Sequence, residues 1–285
     1  MALDDPFASA ESHYAEYRPR YGDRPIGHLV GRFALDESSR ALDLGCGAGQ
    51  IAVPLAARVG EVVGMDPNEA MLEGAREQAR HAGAENLEFV RGSDADLRDS
   101  EVRAERGPRE RERGETPREQ RRDDLGTFDV TTMGRAFHWM DRRPTLDRVR
   151  ELTNPGGGVA IFGDTEWLTA GERAWQDEVY ECAAEYLDDL PDRTGPRSEA
   201  YENPYDELLA DHGFGDVETA TFERTREWTA DAVVGYVFSL SFCSPATFGD
   251  EKCDFESELR ERLDELGGPF EQADEVRVIS GRKPA

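Results

Sequence analysis

The stretch Asp43-Leu44-Gly45-Cys46-Gly47-Ala48-Gly49, followed by Val62-Val63-Gly64-Met65-Asp66, decides the fold of this chain. A short apolar run ends in three alternating glycines, a helical segment follows, and a second apolar run closes on an acid. Glycines at 45, 47 and 49 let the backbone turn sharply and approach a ligand that a Cβ would exclude. The helix that follows aims unsatisfied N–H groups at the same place. An acid about twenty residues on, at the end of the second strand, accepts hydrogen bonds from both hydroxyls of a ribose. Strand, glycine turn, helix, strand and acid together predict a nucleotide-cofactor cradle.

The spacing of the glycines narrows the nucleotide. The dinucleotide fingerprint is G-x-G-x-x-G, whereas here Gly49 comes one residue early and Gln50 holds the fingerprint position. A catalytic Tyr-x-x-x-Lys pair is also missing, the lysines being Lys252 and Lys283. An NAD-dependent oxidoreductase is therefore the weaker expectation.

Acid-x-Gly-x-Gly-x-Gly resembles the first motif of the class I S-adenosylmethionine-dependent methyltransferases, most closely the type 11-like, small-molecule branch that shares D-L-G-C-G-x-G. Three further stretches strengthen the resemblance: Tyr14, Tyr17, Arg18 and Pro19 in a Y-x-x-Y-R-P pattern, Phe137-His138-Trp139, and Asn154-Pro155-Gly156-Gly157 with its P-G-G turn. What the resemblance implies is a Rossmann-like α/β fold, a seven-stranded mostly parallel sheet of order 3-2-1-4-5-7-6 flanked by helices. It also implies S-adenosyl-L-methionine as cofactor and methyl transfer to a small-molecule acceptor. A binding or regulatory protein that keeps the cofactor pocket without turnover is the alternative.

Site residues follow from the same resemblance. Gly45, Cys46, Gly47 and Gly49 are expected to approach the methionine portion of the cofactor, Asp43 to orient its ammonium and Asp66 to clamp the ribose. Pro67 and Met71 are expected to flank the adenine. Gly92-Ser93-Asp94-Ala95-Asp96-Leu97 resembles the family's G-D-A-E-x-L, which makes Asp94 the first choice and Ser93 the second for reading the adenine edge, with Asp96 capping a turn. Met133 and Gly134, ending the fourth strand, fall beneath the sulfonium. Tyr14 and Arg18 are expected to fold over the cofactor, Arg18 pairing its carboxylate or an anionic acceptor, unless the segment serves only as aromatic packing. His138 has the intrinsic pKa of a general base, although a histidine between Phe137 and Trp139 equally suits the lining of an acceptor pocket. No metal site is expected: Cys46, Cys182, Cys243 and Cys253 show neither C-x-x-C spacing nor paired histidines.

Composition bounds the remaining choices. A chain of 285 residues with formal charge −27 repels nucleic acid and anionic membranes over its averaged surface. Its 61 acids and 32 arginines against two lysines resemble the composition of proteins from salt-loving organisms, where screening removes self-repulsion. No N-terminal apolar core suits a signal peptide, and no run reaches the length of a membrane span. A cytoplasmic monomer or homodimer is the expectation.

Periodicity orders the elements. Residues 1–40 read as a helical N-terminal segment, 41–163 as the cofactor-binding core, and 164–285 as a helical acceptor-side region whose last strands complete the sheet, all within a single domain. Strands are predicted over 41–44, 61–65, 87–91, 128–133, 159–162, 217–227 and 275–280. Helices are predicted over 50–59, from Pro67-Asn68 to Gly83, over 142–152 capped by Asp141, across 164–199, and over 205–211, 229–240 and 255–266. Residues 98–124 hold nine arginines and nine acids, with Val102 as the sole large apolar side chain. Such a segment cannot offset its ordering entropy by burial and is expected to be a solvated, largely disordered insertion.

Overall fold

The computed structural model describes residues 9–99, 125–193 and 205–285. The insertion expected over 98–124 lies almost wholly outside the described residues, as does the end of the helical stretch expected up to 199.

Seven strands, β1 (Arg40–Leu44), β2 (Glu61–Asp66), β3 (Leu87–Arg91), β4 (Phe128–Gly134), β5 (Thr153–Asp164), β6 (Gly215–Trp228) and β7 (Phe270–Arg282), form one sheet. Its order is β3-β2-β1-β4-β5-β7-β6, the order expected. The pairs β1–β2, β1–β4, β2–β3 and β4–β5 are parallel. At the other edge the chain reverses. Gly156 donates to the Lys283 carbonyl at 3.0 Å and Lys283 donates to Gly157 at 2.8 Å, so the head of β5 meets the tail of β7. The side-chain pairs Asp216–Arg282 and Trp228–Gln272 likewise oppose the head of β6 to the tail of β7 and the reverse.

The helices are α1 (Glu11–Tyr17), α2 (Asp23–Phe33), α3 (Ala52–Ala56), α4 (Glu69–Ala82), α5 (Asp94–Asp99), α6 (Arg142–Leu152), α7 (Trp167–Ala170), α8 (Ala174–Tyr186), α9 (Tyr205–Asp211), α10 (Ala230–Phe238), α11 (Pro245–Phe248) and α12 (Lys252–Leu266). Helix α4 shows how local chemistry sets its ends. The Asn68 side chain accepts from the Met71 N–H at 3.0 Å, and Gly83 stops the helix at φ +66. Between them Met71, Leu72, Ala75 and Ala79, at helical spacing, form the buried stripe.

Contacts divide the chain into two compact units. The sheet unit comprises Tyr21–Gly163, Asn203–Phe222 and Arg277–Ala285. Its core gathers Leu42, Leu44, Val63, Met65, Phe128 and Met133 from the strands with Leu146 and Val149 of α6 and Leu209 of α9. The aromatic unit comprises Met1–Arg20, Asp164–Glu202 and Glu223–Val276. There the Trp167 ring stacks on Tyr236 at 4.6 Å and meets Trp175 edge-on at 4.7 Å. A buried ion triad adds polar order to this unit. Arg224 is gripped by Asp274 through two nitrogens and reaches Asp164 at 3.1 Å.

Three local expectations need correction. The helix predicted over 50–59 shrinks to α3, because the chain must close quickly onto β2: Gly60 passes so near Glu37 that a Cβ would lie 2.1 Å from its carbonyl oxygen. The turn expected at 154–158 is part of β5. Register there jumps from Phe128↔Thr153 to Val130↔Gly158, and Gly156 at φ +82 absorbs the irregularity. Asp141 precedes α6 as predicted, yet its side chain makes no cap. Asp94 of α5 takes that place, its Oδ2 accepting from the Asp141 N–H and the Thr145 hydroxyl, each at 3.2 Å.

Candidate functional site

In an open parallel sheet the strand order reverses at a switch point, and a crevice opens outside the carboxyl ends of the strands on either side. Here that point lies between β1 and β4, which pair directly from Ala41↔Val130 to Asp43↔Thr132. The glycine turn leaves β1 at this place. Gly45, Gly47 and Gly49 adopt φ of +70, +52 and +81, the left-handed region that a side chain strains to enter. Space is equally demanding. A Cβ on Gly45 would lie 2.4 Å from the Ala136 Cβ and 3.2 Å from the Met140 methyl, so the loops after β1 and β4 touch through a missing side chain. A Cβ on Gly49 would press on Val53 and Ala75 at 3.0 and 3.3 Å.

Asp43 and Asp66 hold the turn from opposite sides. Asp66 accepts from the Gly47 N–H at 2.8 Å through one oxygen and from the Asn68 N–H at 2.9 Å through the other. The loops after β1 and β2 are thereby joined at one carboxylate. Asp43 is 1% exposed. Its Oδ2 accepts from the Ala52 N–H at 3.0 Å, where α3 begins, and its Oδ1 from the Thr132 hydroxyl at 2.8 Å. Burial pushes the Asp43 carboxyl up to about 7, the nearby Asp66 charge adding to the rise, while the bonds from Thr132 and Ala52 hold it down. These contacts make Asp43 the internal brace of the turn.

The rest of the turn is tightly sewn. The Met65 carbonyl accepts from the N–H groups of Gly45 and Cys46 at 2.7 and 3.0 Å, and the Cys46 carbonyl from Gly49 at 2.9 Å. Burial pushes the Cys46 thiol well above its ordinary range, which makes this residue packing rather than nucleophile. Gly64 on β2 is needed for that packing, since a Cβ there would lie 3.1 Å from the Cys46 sulfur and 2.7 Å from the Phe89 ring.

Other predicted residues fall around this centre. Met71 is buried on α4, and the exposed Pro67 accepts from the Arg91 Nε at 3.1 Å through its carbonyl. Ser93 and Asp96 cap each other's ends of the first turn of α5: the Ser93 N–H and hydroxyl donate to Asp96 Oδ2 at 2.8 and 3.0 Å. Met133 lies in the core, and Gly134 is so close to Ile51 and the Tyr21 hydroxyl that a Cβ would approach them to 2.7 and 2.9 Å. His138 is exposed on a 3₁₀ turn, its ring 5.1 Å from that of Trp139. The turn is flanked by Ala136 and Met140, the residues that abut Gly45. Tyr14 and Arg18 belong to the aromatic unit, where the guanidinium lies 5.6 Å from the Tyr14 ring and 5.1 Å from that of Tyr236.

Thr132 went unread in the sequence: it is one residue of an apolar strand, and only its register opposite Asp43 reveals its task. Arg135 closes the stretch Met133-Gly134-Arg135 expected beneath the sulfonium, and it is a non-glycine residue at φ +52. Its Nη1 donates to Gln50 Oε1 at 2.9 Å, and its guanidinium carbon lies 4.7 Å from the centre of the Tyr21 ring.

The sequence model of a methyltransferase domain matches residues 42–159, which span the turn, both acids and β4. An uncharacterised methyltransferase of Mycobacterium bovis is 26% identical over 243 residues, covering 84% of this chain and 79% of that protein. A 23S rRNA uracil C5-methyltransferase of Xylella fastidiosa is 42% identical over 67 residues, but the match spans 24% of this chain and only 15% of the length of that relative. Among solved structures, an S-adenosylmethionine-dependent methyltransferase of Thiobacillus denitrificans in complex with S-adenosylhomocysteine superimposes with a TM-score of 0.51 at 14% identity. That superposition covers 99% of each chain, and at such identity it speaks for the fold. Among the described residues no single helix is long and apolar enough to cross a membrane.

Proposed function

We propose that this chain, whose residues 42–159 match the sequence model of a methyltransferase domain, is a class I S-adenosylmethionine-dependent methyltransferase that moves the methyl group of S-adenosyl-L-methionine to a small-molecule acceptor. One observation carries the reading: a glycine turn with three left-handed residues, tied by the Gly47 N–H to the acid that ends β2, at the switch point of the sheet. A Cβ at 45 or 49 would disrupt this cradle, which suits a cofactor that needs close backbone approach.

In this reading Gly45, Cys46, Gly47 and Gly49 border the methionine portion, and Asp66 accepts from the ribose hydroxyls. A carboxylate offers about four lone-pair directions, so accepting from Gly47 and Asn68 is compatible with gripping a ribose diol as well. Pro67, Met71, Ser93 and Asp94, from the loops after β2 and β3, border the adenine. Asp43 acts at one remove, keeping the turn and the start of α3 in register. Met133 and Gly134 close the floor. Bound S-adenosylmethionine supplies a methyl group already electrophilic on its sulfonium. The chain's contribution is therefore alignment and exclusion of water. His138, on the loop that covers Gly45, faces the acceptor and takes its proton where the acceptor is a hydroxyl or a carbon acid. The net charge of −27 disfavours a nucleic-acid acceptor.

Thermal stabilisation in high salt tests the reading, because a ligand that binds only the folded state raises the midpoint according to its affinity. S-Adenosylmethionine and S-adenosylhomocysteine should each raise it and NAD should not, and Asp66→Ala should remove most of the rise. A midpoint moved by NAD alone, or by neither methionine-derived ligand, would sink the proposal.

A further inference from the structure

We propose that the chain carries a second ligand site, for a small organic cation of the diamine class, in a cleft at the amino ends of β1, β4 and β5. The cleft measures about 570 Å³, within the range of small-molecule sites. It lies wholly in the sheet unit, where the C-terminal end of α2, the loop after it and the first residues of the three parallel strands form its walls. The glycine turn leaves the opposite, carboxyl end of β1, so this cleft is no part of the cofactor crevice. The inference therefore stands apart from the cofactor reading.

Charge decides the occupant. Asp36 and Asp129, from separate segments, both line the cleft, and among the described residues neither forms an ion pair. Asp36 Oδ1 accepts from the Ser38 hydroxyl and N–H at 2.6 and 2.8 Å, bonds that hold this carboxyl below its ordinary range, while no described protein group bonds Oδ2. Asp129 accepts from the Arg40 N–H and the Asn154 amide, each at 2.8 Å, which leaves directions open on a carboxylate that has about four. The lining cation, Arg40, is committed elsewhere: its guanidinium clasps Glu61 at 2.8 and 3.0 Å and donates to the carbonyls of Thr127 and Leu125. Arg282, which donates to the carbonyl of the lining residue Gly156, pairs with Asp216. The carbonyl end of α2 adds partial negative charge. A concave wall of one sign focuses its field on a counter-charge. Two carboxylates are few for a divalent metal, which takes about six to eight oxygens, and no group of three or more metal-ligating side chains occurs among the described residues. An organic diammonium instead offers one charged end to each acid and fills the space between with its carbon chain.

Titration calorimetry of the full chain with 1,4-diaminobutane tests the site, at a fixed high salt that screens diffuse attraction to an acidic surface. The diamine should saturate one site per chain, and 1,4-butanediol, uncharged and of similar length, should not bind. Asp36→Asn and Asp129→Asn should each weaken the diamine by about tenfold or more, the effect of losing a charge-assisted hydrogen bond. Asp254→Asn, which removes the same charge from the exposed face of α12, should leave the affinity within about twofold. An unchanged heat-unfolding midpoint for Asp36→Asn, a substitution at an exposed residue, certifies that the altered chain is folded. Absence of saturable binding, equal binding of the diol, equal weakening by Asp254→Asn, or displacement of the diamine by equimolar magnesium chloride would each overturn the inference.

Discussion

Replacing Asp43 by Asn tests the physical account of the glycine turn directly. Asp43 is sealed from water, and burial moves its ionisation from the ordinary 3.8 up to about 7. Above pH 3.8 the unfolded chain releases this proton while the folded chain keeps it. A raised acid of this kind contributes its full stability below 3.8 and loses it as pH rises through about 7. At roughly 1.4 kcal/mol for each pH unit between the two values, the loss across the window is about 4 kcal/mol. Asn stays neutral throughout and fits the same contacts. Its amide oxygen can accept from the Ala52 N–H and its NH₂ can donate to Thr132, whose hydroxyl then turns to the Leu42 carbonyl 3.4 Å away. Denaturant unfolding of both proteins from about pH 4 to about pH 8.5, at fixed high salt, gives the difference in stability at each pH. Groups that titrate alike in both proteins cancel in that difference, apart from Asp66, whose charge couples to Asp43. The stability of the original chain relative to Asp43→Asn should fall by about 4 kcal/mol toward high pH. A difference flat to within about 1 kcal/mol would refute the claim that Asp43 is a buried acid forced to ionise at the turn.

Two further sites, one in each unit, are probed by substitution. Gly45→Ala places a Cβ 2.4 Å from Ala136 on a residue at φ +70, so it should cost about 2–4 kcal/mol in denaturant unfolding and abolish stabilisation by S-adenosylhomocysteine; unaltered stability would contradict the close approach of the two loops. In the aromatic unit, Arg224→Met strands the carboxylates of Asp164 and Asp274, whose side chains are 8% and 3% exposed. Breaking such a buried group costs about 3–5 kcal/mol, and Arg224→Lys should restore only part because it lacks the fork that Asp274 engages. A melting temperature for Arg224→Met equal to that of the original chain would show that the triad contributes nothing.

Chemistry that acts over a few residues was legible in the chain of letters alone. The glycines at 45, 47 and 49, the acid ending β2, the Asn68 cap and the Gly83 stop are all local backbone statements, and the alternation of apolar runs with helical stripes is local too. Together with the family resemblance they were enough for the strand order and for the location of the turn. Tertiary structure alone decided which distant groups complete it. Thr132 meets Asp43 because β4 lies beside β1 in one particular register, and the Asp94 carboxylate turns to α6 because that helix presents an unsatisfied N–H there. Arg135 reaches Gln50 and Tyr21 only once three separated segments converge. Such contacts depend on through-space distance, which spacing along a chain does not encode. A buried carboxylate likewise acquires its raised pKa from exclusion of water, a property of the folded surroundings and of no motif.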